Sequence, residues 1–160
     1  RWAERAASLD RSSAAAQAWL GRVLTLTGRS DEAEPVLKEA CRLEPDQASH
    51  AYTLALLYGQ MGRPADAATA LRTAVQLEPG FGRAWYNLGL ALAQLNDNAG
   101  ALDALRRAEA IMPESVDPPY ARATIHVRLG EAAEAKAAAQ RAVTLDAKHA
   151  LANDLLRRLQ

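Results

Sequence analysis

The chain has 160 residues, with 19 basic and 19 acidic side chains, three histidines and one cysteine. Its zero net charge argues against a nucleic-acid partner, because general nucleic-acid binders carry a basic excess. One cysteine excludes an internal disulfide, and no apolar stretch approaches the ~20 residues that span a bilayer, so we expect no membrane insertion.

A period of 34 residues organises a helix-forming composition. The chain contains 37 alanines and 23 leucines, both strong helix formers. We call residues separated by 34 positions a column. Four columns are Gly28, Gly62, Asn96 and Gly130; Ala33, Ala67, Ala101 and Ala135; Ala40, Ala74, Ala108 and Ala142; and Leu43, Leu77, Ile111 and Leu145. Such self-similarity indicates an array of stacked structural repeats.

In chain order, the predicted elements form one array of ten helices. Residues 1–13 are predicted to be the second helix of a truncated repeat, and 150–160 a C-terminal capping helix. Between them lie four helix-turn-helix repeats, at 14–47, 48–81, 82–115 and 116–149. In the capping helix, Leu151, Leu155, Leu156 and Leu159 are predicted to dock on the preceding repeat.

Local signals place the turns, caps and core. The column that begins at Gly28 marks the turn within each repeat, because glycine and asparagine tolerate a positive φ. Pro64 suits the first turn of a helix, and Asp46 and Asp117 are predicted N-caps. Leu71 and Leu105 are expected in the core.

The third repeat carries the motif that identifies a family. It contains Trp85, Leu88 and Gly89, then Ala101, Leu105 and Pro113. This resembles the tetratricopeptide repeat (TPR) pattern W-x2-L-G-x2-Y, then A-x3-F, then P. The resemblance implies an all-α, right-handed superhelical solenoid whose first helices line a concave side. The fourth repeat diverges most: Arg122 stands where leucine is expected, and its stem should pack while its head reaches solvent or an acidic neighbour.

The sequence lacks a recognisable catalytic or metal-binding motif. His50, His126 and His149 are far apart and outside any metal-ligand spacing, and Cys41 is interpreted as a packed helical residue. No phosphate-binding loop or nucleophile elbow occurs. We therefore expect no enzyme activity, no cofactor and no metal.

The candidate site is the face of the first helices that points away from their core-facing residues. It carries the column Tyr52, Tyr86 and Tyr120, and tyrosine suits a binding surface because it is flat and amphipathic. Around this column lie Trp19, Arg22, Leu26, Leu56, Arg83, Asn87, Leu90, Gln94 and Arg128. The alternative is that these tyrosines pack on neighbouring helices. The lysines of the TPR carboxylate clamp and an asparagine ladder for peptide backbones are both missing.

The predicted function is a scaffold that binds a peptide segment or helix of a partner protein in the concave groove. One alternative is a non-catalytic tail of a larger bacterial enzyme or multihaem electron-transfer protein. Another is end-to-end self-assembly, because the helix that carries Trp2 lacks its partner helix and leaves an open N-terminal end. The composition suggests a soluble bacterial protein, cytoplasmic or periplasmic depending on the parent chain.

Overall fold

The computed structural model describes residues 13–159, and all regular secondary structure in that range is helical. The nine helices of this range are α1 (Ala14–Leu26), α2 (Ser30–Leu43), α3 (Ala48–Gln60), α4 (Pro64–Leu77), α5 (Gly82–Gln94), α6 (Asn98–Ile111), α7 (Asp117–Leu129), α8 (Ala132–Leu145) and α9 (Ala150–Arg158). The predicted helix over 1–13, with Trp2, falls almost entirely outside the described residues. Within them, no helix is long and apolar enough to cross a membrane.

The described helices form two compact units, which divide between Pro79 and Gly80. In the first unit α1 pairs with α2 and α3 with α4, while α3 also packs against α1 and α2. In the second unit α5 pairs with α6 and α7 with α8; α7 also packs against α5 and α6, and α9 packs on α8. In both units, therefore, the first helices of consecutive repeats are in contact.

The four predicted turns are confirmed. Gly28, Gly62 and Gly130 have φ values of 74°, 67° and 75°, and Asn96 has φ 62°. All four lie in the left-handed region that ends helices, where asparagine is the side chain that substitutes best for glycine. The turn column thus ends the first helix of every repeat.

Two of the predicted caps are wrong. The residue before α3 is Gln47 rather than Asp46, and the residue before α7 is Val116, so that Asp117 is the first residue of its helix. A cap at position 117 would lack one of its usual donors, because Pro119 has no backbone N–H. Pro64 does begin α4, as predicted.

Leucine and alanine columns build the core. Leu71 and Leu105 are 2% and 0% exposed, which confirms their predicted burial. Gly89 lies so close to Leu105 that a Cβ there would be 2.6 Å from its Cγ. The first helix therefore approaches its partner at glycine, where no side chain intervenes.

Arg122 sits in a leucine column and is neutralised locally. One terminal guanidinium nitrogen lies 2.6 Å from a carboxylate oxygen of Glu109, and Arg141 approaches the other oxygen at 3.6 Å. The predicted acidic neighbour of Arg122 is thus confirmed as Glu109. Its Nε is buried without a hydrogen-bond partner, so the pair carries an uncompensated polar atom.

The helix α9 covers the last repeat with one face. Ala152, Leu155 and Leu156 are buried, and Leu159 is half-buried. Leu151 is 62% exposed, so the prediction that it docks is wrong. At 100° per residue, Leu151 lies about 90° from the centre of the buried face.

Candidate functional site

In the second unit, helix α5 presents most of the predicted site residues. Tyr86, Asn87 and Leu90 are half-buried, and Arg83 and Gln94 are exposed. Burial raises the pKa of the Tyr86 hydroxyl, and the negative charge of Asp117 adds to the effect. Tyr86 therefore has a partly desolvated ring, with its hydroxyl protonated at neutral pH.

Tyr120, on α7, has a structural role. Its ring centroid is 5.1 Å from that of His149, and it packs against a buried cluster that includes Ala123, Leu155 and Leu156. Tyr120 thus helps to hold α9 on the last repeat. The contacts of Tyr120 are therefore those of the alternative interpretation, in which the tyrosines of the column pack on neighbouring helices.

Arg128, at the end of α7, is also engaged within the second unit. Its guanidinium donates to the Ala93 carbonyl oxygen at 3.2 Å and to the side-chain oxygen of Asn98. These contacts connect α7 to the end of α5 and the start of α6. Arg128 is nevertheless an exposed residue, so its positive charge remains accessible to a partner.

In the first unit, the predicted face carries exposed apolar side chains. Trp19 is 63% exposed, Leu26 80% and Leu56 40%, while Tyr52 is half-buried. The Arg22 guanidinium lies over the Trp19 ring, 5.0 Å from its centroid. Since α1 contacts α3, these residues belong to two adjoining helices.

The three histidines each have a local partner. Buried His50 places Nε2 3.0 Å from a carboxylate oxygen of Glu44, and buried His126 places Nδ1 2.6 Å from one of Glu131. His149 accepts the backbone N–H of Ala152 and caps α9. Across residues 13–159, no group of three or more His, Cys, Asp or Glu side chains is placed to hold a metal ion.

Family models agree with these paired helices. One tetratricopeptide repeat model matches residues 1–48 and 52–115, and a second matches residues 120–149. The chain belongs to the tetratricopeptide repeat family. The resemblance noted in the sequence is thus confirmed, and with it the all-α fold class of TPR helix-turn-helix repeats.

Solved TPR structures resemble this chain. The crystal structure of YrrB, described as a TPR protein with an unusual peptide-binding site, has a TM-score of 0.86 and 22% identity, and the match covers 97% of this chain and 80% of YrrB. Two crystal structures of MamA have TM-scores of 0.87 at 21% and 23% identity, covering 92% and 91% of this chain and 86% and 80% of MamA. At these identities the likeness shows the fold alone. No curated protein sequence matches the chain significantly.

One feature of the TPR surface was missed by sequence reasoning. A cavity of about 400 Å³ opens between α2, α3 and α4 of the first unit. Its floor includes Ala51, in the column that carries Trp85 in the third repeat. The absence of the pattern's tryptophan at position 51 was the available signal.

Proposed function

We propose that this chain is a protein-interaction module that binds a segment of a partner protein on the exposed surface of its first helices. The observation that carries the proposal is the exposure of Trp19, Leu26 and Leu56 on the face predicted to bind. Exposed apolar side chains grouped on one face favour a protein partner over solvent. The family supports the same role, and one similar structure, YrrB, is described as having a peptide-binding site.

In the second unit, the first helix α5 carries both apolar and polar members of the proposed surface. Tyr86 and Leu90 offer apolar area with one hydroxyl, and Arg83 is exposed beside them on α5. The first helices of the second unit carry Arg83 and Arg128 against Asp117, and α1 of the first unit carries Arg22, so arginine predominates in each unit. We therefore propose a partner segment with apolar anchors and acidic residues, whose association weakens as salt rises.

This proposal assigns no catalytic role to the chain. The histidines pair with single carboxylates or cap a helix, and Cys41 has its thiol pKa raised by burial, which disfavours the nucleophilic thiolate. Binding, rather than bond making, is the chemistry that the first-helix residues supply.

A random peptide display library, selected on the immobilised chain, tests the proposal. We expect selected peptides to combine apolar and acidic residues. In ¹⁵N chemical-shift titrations they should shift amides of Trp19 and Leu56 in the first unit or of Tyr86 and Leu90 in the second. Amides of Arg72 and Gln76, exposed on α4, serve as the internal control. A selection in which no peptide shifts these first-helix amides would contradict the proposal.

Self-association is a second candidate, favoured by the same exposed face of α1. Trp19, Val23 and Leu26 lie at i, i+4 and i+7, and all three are exposed. If a second copy covers them, the mass measured by light scattering should rise with concentration, and Trp19→Ser should abolish the rise. A constant monomer mass at millimolar concentration would exclude this candidate and leave peptide binding intact.

A further inference from the structure

The cavity of the first unit lies on the side of the second helices. Its walls come from the end of α2 (Cys41 and Glu44), from α3 (Ala51, Leu54 and Tyr58) and from α4 (Asp66, Thr69, Ala70 and Thr73). At 100° per residue, Ala51, Leu54 and Tyr58 share one face of α3, well away from Tyr52 and Leu56. The cavity is therefore separate from the proposed first-helix surface.

The 34-residue period explains why this cavity is open. Ala51 is in the column of Trp85, and Thr73 is in the column of Arg107. In the second unit, the guanidinium carbon of Arg107 lies 4.7 Å from the Trp85 ring centroid, and its Nε donates to Asp103 at 3.0 Å. The third repeat therefore has the Trp85 ring covered by Arg107, whereas the second repeat has the smaller residues Ala51 and Thr73 at these positions.

Thr69 is a third position at which the second repeat has the smaller residue, because the third repeat has Asp103 in the same column. All three smaller residues line the cavity. The hydroxyls of Thr69 and Thr73 donate to the carbonyls of Ala65 and Thr69 on their own helix, which leaves their methyl groups for contact. The result is a recess of about 400 Å³ at the position that corresponds, by the 34-residue period, to the Trp85 ring and the Arg107 guanidinium of the third repeat.

Two carboxylates lie in the lining of the cavity. Its lining includes the carboxylates of Glu44 and Asp66 and contains no lysine or arginine. Asp66 pairs with Arg63, whose guanidinium carbon also lies 4.5 Å from the centroid of the Tyr58 ring. Glu44 contacts His50 through one oxygen and has no arginine or lysine partner among the described residues, so its carboxylate keeps lone pairs to offer a cation. An occupant with a positive charge beside its apolar part would therefore match both the recess and its rim.

We propose that this cavity receives an aromatic side chain, tryptophan above all, that stands next to arginine or lysine in a segment of a partner protein. The partner would supply to the second repeat an aromatic ring and a cation, the two groups that the third repeat supplies itself as Trp85 and Arg107. Ala51 and Leu54 would contact the ring, and Glu44 the neighbouring cation. The TPR chain would then hold two partner segments of opposite charge preference on different faces.

Blocked tripeptides test this proposal. N-acetyl-Arg-Trp-Arg-amide should shift the amides of Ala51, Leu54 and Thr73 saturably. The Arg-Ala-Arg and Glu-Trp-Glu analogues separate the contributions of ring and charge, and should bind more weakly. Cys41, the only cysteine of the chain, reports occupancy through its alkylation by iodoacetamide. Peptide at ~10 times its Kd should slow this reaction about tenfold, since protection follows 1 + [L]/Kd.

Filling the cavity from within provides the decisive variants. Ala51→Trp restores the residue found in the third repeat and should abolish both the shifts and the protection of Cys41, whereas Gln76→Trp adds a ring on the exposed side of α4 and should not. Thr73→Arg, which introduces the residue that the third repeat has as Arg107, blocks the recess by a second route if Ala51→Trp fails to fold. Unchanged peptide binding in a folded cavity-filling variant would overturn the proposal.

Two further outcomes separate this proposal from others. Cys41 could also become protected when the chain itself is concentrated without peptide. That result would assign the cavity to a second copy of the chain and would overturn the proposal that a partner segment occupies it. Tyr86→Ala should leave tripeptide binding unchanged, because that residue belongs to the first-helix surface. A loss of tripeptide binding in Tyr86→Ala would place the tripeptide on that surface and contradict the cavity proposal.

Discussion

Arg107 lies over Trp85, with its guanidinium carbon 4.7 Å from the ring centroid, and Asp103 fixes it there from the preceding helical turn. The contact joins the second helix of the third repeat to its first helix. A cation above an indole face gains electrostatic attraction in addition to the area it covers. Polar side chains thus contribute to helix pairing in this repeat.

Removing that guanidinium gives the first prediction. Arg107→Ala should lower the free energy of unfolding by ~0.5–1 kcal/mol, the usual value of an exposed cation–π contact. Arg106→Ala, at the exposed neighbouring position, is the control and should cost less. Urea unfolding of both variants makes the comparison, and equal losses would show that the contact with Trp85 contributes no net stability.

A core truncation gives the second prediction. Leu105→Ala should lower the free energy of unfolding by ~2–5 kcal/mol, because Leu105 is fully buried and the change leaves a cavity against Gly89. Leu26→Ala removes the same atoms from a side chain that is 80% exposed, so it should change the free energy of unfolding little. Similar losses in the two variants, measured by denaturant unfolding, would contradict the described core.

The Arg122–Glu109 pair gives the third prediction. Glu109→Ala should destabilise the chain by ~1–3 kcal/mol, because it leaves the partly buried Arg122 without its closest anion. The double variant Arg122→Leu with Glu109→Val, which takes residues from the corresponding columns, should recover that loss, as apolar replacements of buried ion pairs often do. A double variant less stable than Glu109→Ala would show that the pair itself stabilises this repeat.

The fourth prediction concerns acid. Glu34 receives a hydrogen bond from Lys38 and another from Arg63, and these hold the pKa of its carboxyl below the usual 4.5. A depressed folded-state pKa contributes stability that is present above pH 4.5 and is lost as the pH falls through the folded value.

Glu34→Gln should therefore be less stable than the parent chain at neutral pH, and the difference should narrow toward ~pH 3. Urea unfolding of both proteins between neutral pH and ~pH 3 measures this difference in stability. Glu114→Gln, at an exposed position in the loop after α6, is the control for replacing a carboxylate by an amide. A difference for Glu34→Gln that stays constant with pH would contradict the assigned contacts.

The turns and core could be predicted from the sequence because single residue types decide them. A positive φ restricts the turn column to glycine and asparagine, and burial restricts Leu71 and Leu105 to apolar residues. These constraints recur every 34 residues, so each repeat reinforces the interpretation of the others. The helix pairing then follows from the family pattern.

The remaining features depend on contacts that periodicity does not encode. Tyr120 belongs to the tyrosine column, yet it packs on His149 because a capping helix covers the last repeat. Arg128 is engaged by Ala93 and Asn98, from a neighbouring repeat. The cavity beside Ala51 results from three small residues on two helices, and no single column reveals that combination. Which tyrosines bind a partner stays a prediction.

The proposed first-helix surface is tested most sharply by the effect of Tyr86→Ala on both melting temperature and affinity for a selected peptide. We expect affinity to fall by ~1–3 kcal/mol, as for a central aromatic hot spot, while the helical signal stays intact. Tyr120→Ala is the matched control: it should lower the melting temperature more, because its ring packs on the core beneath α9. If Tyr86→Ala instead lowers the melting temperature and leaves peptide affinity unchanged, Tyr86 is a packing residue and the first-helix surface is not the binding site.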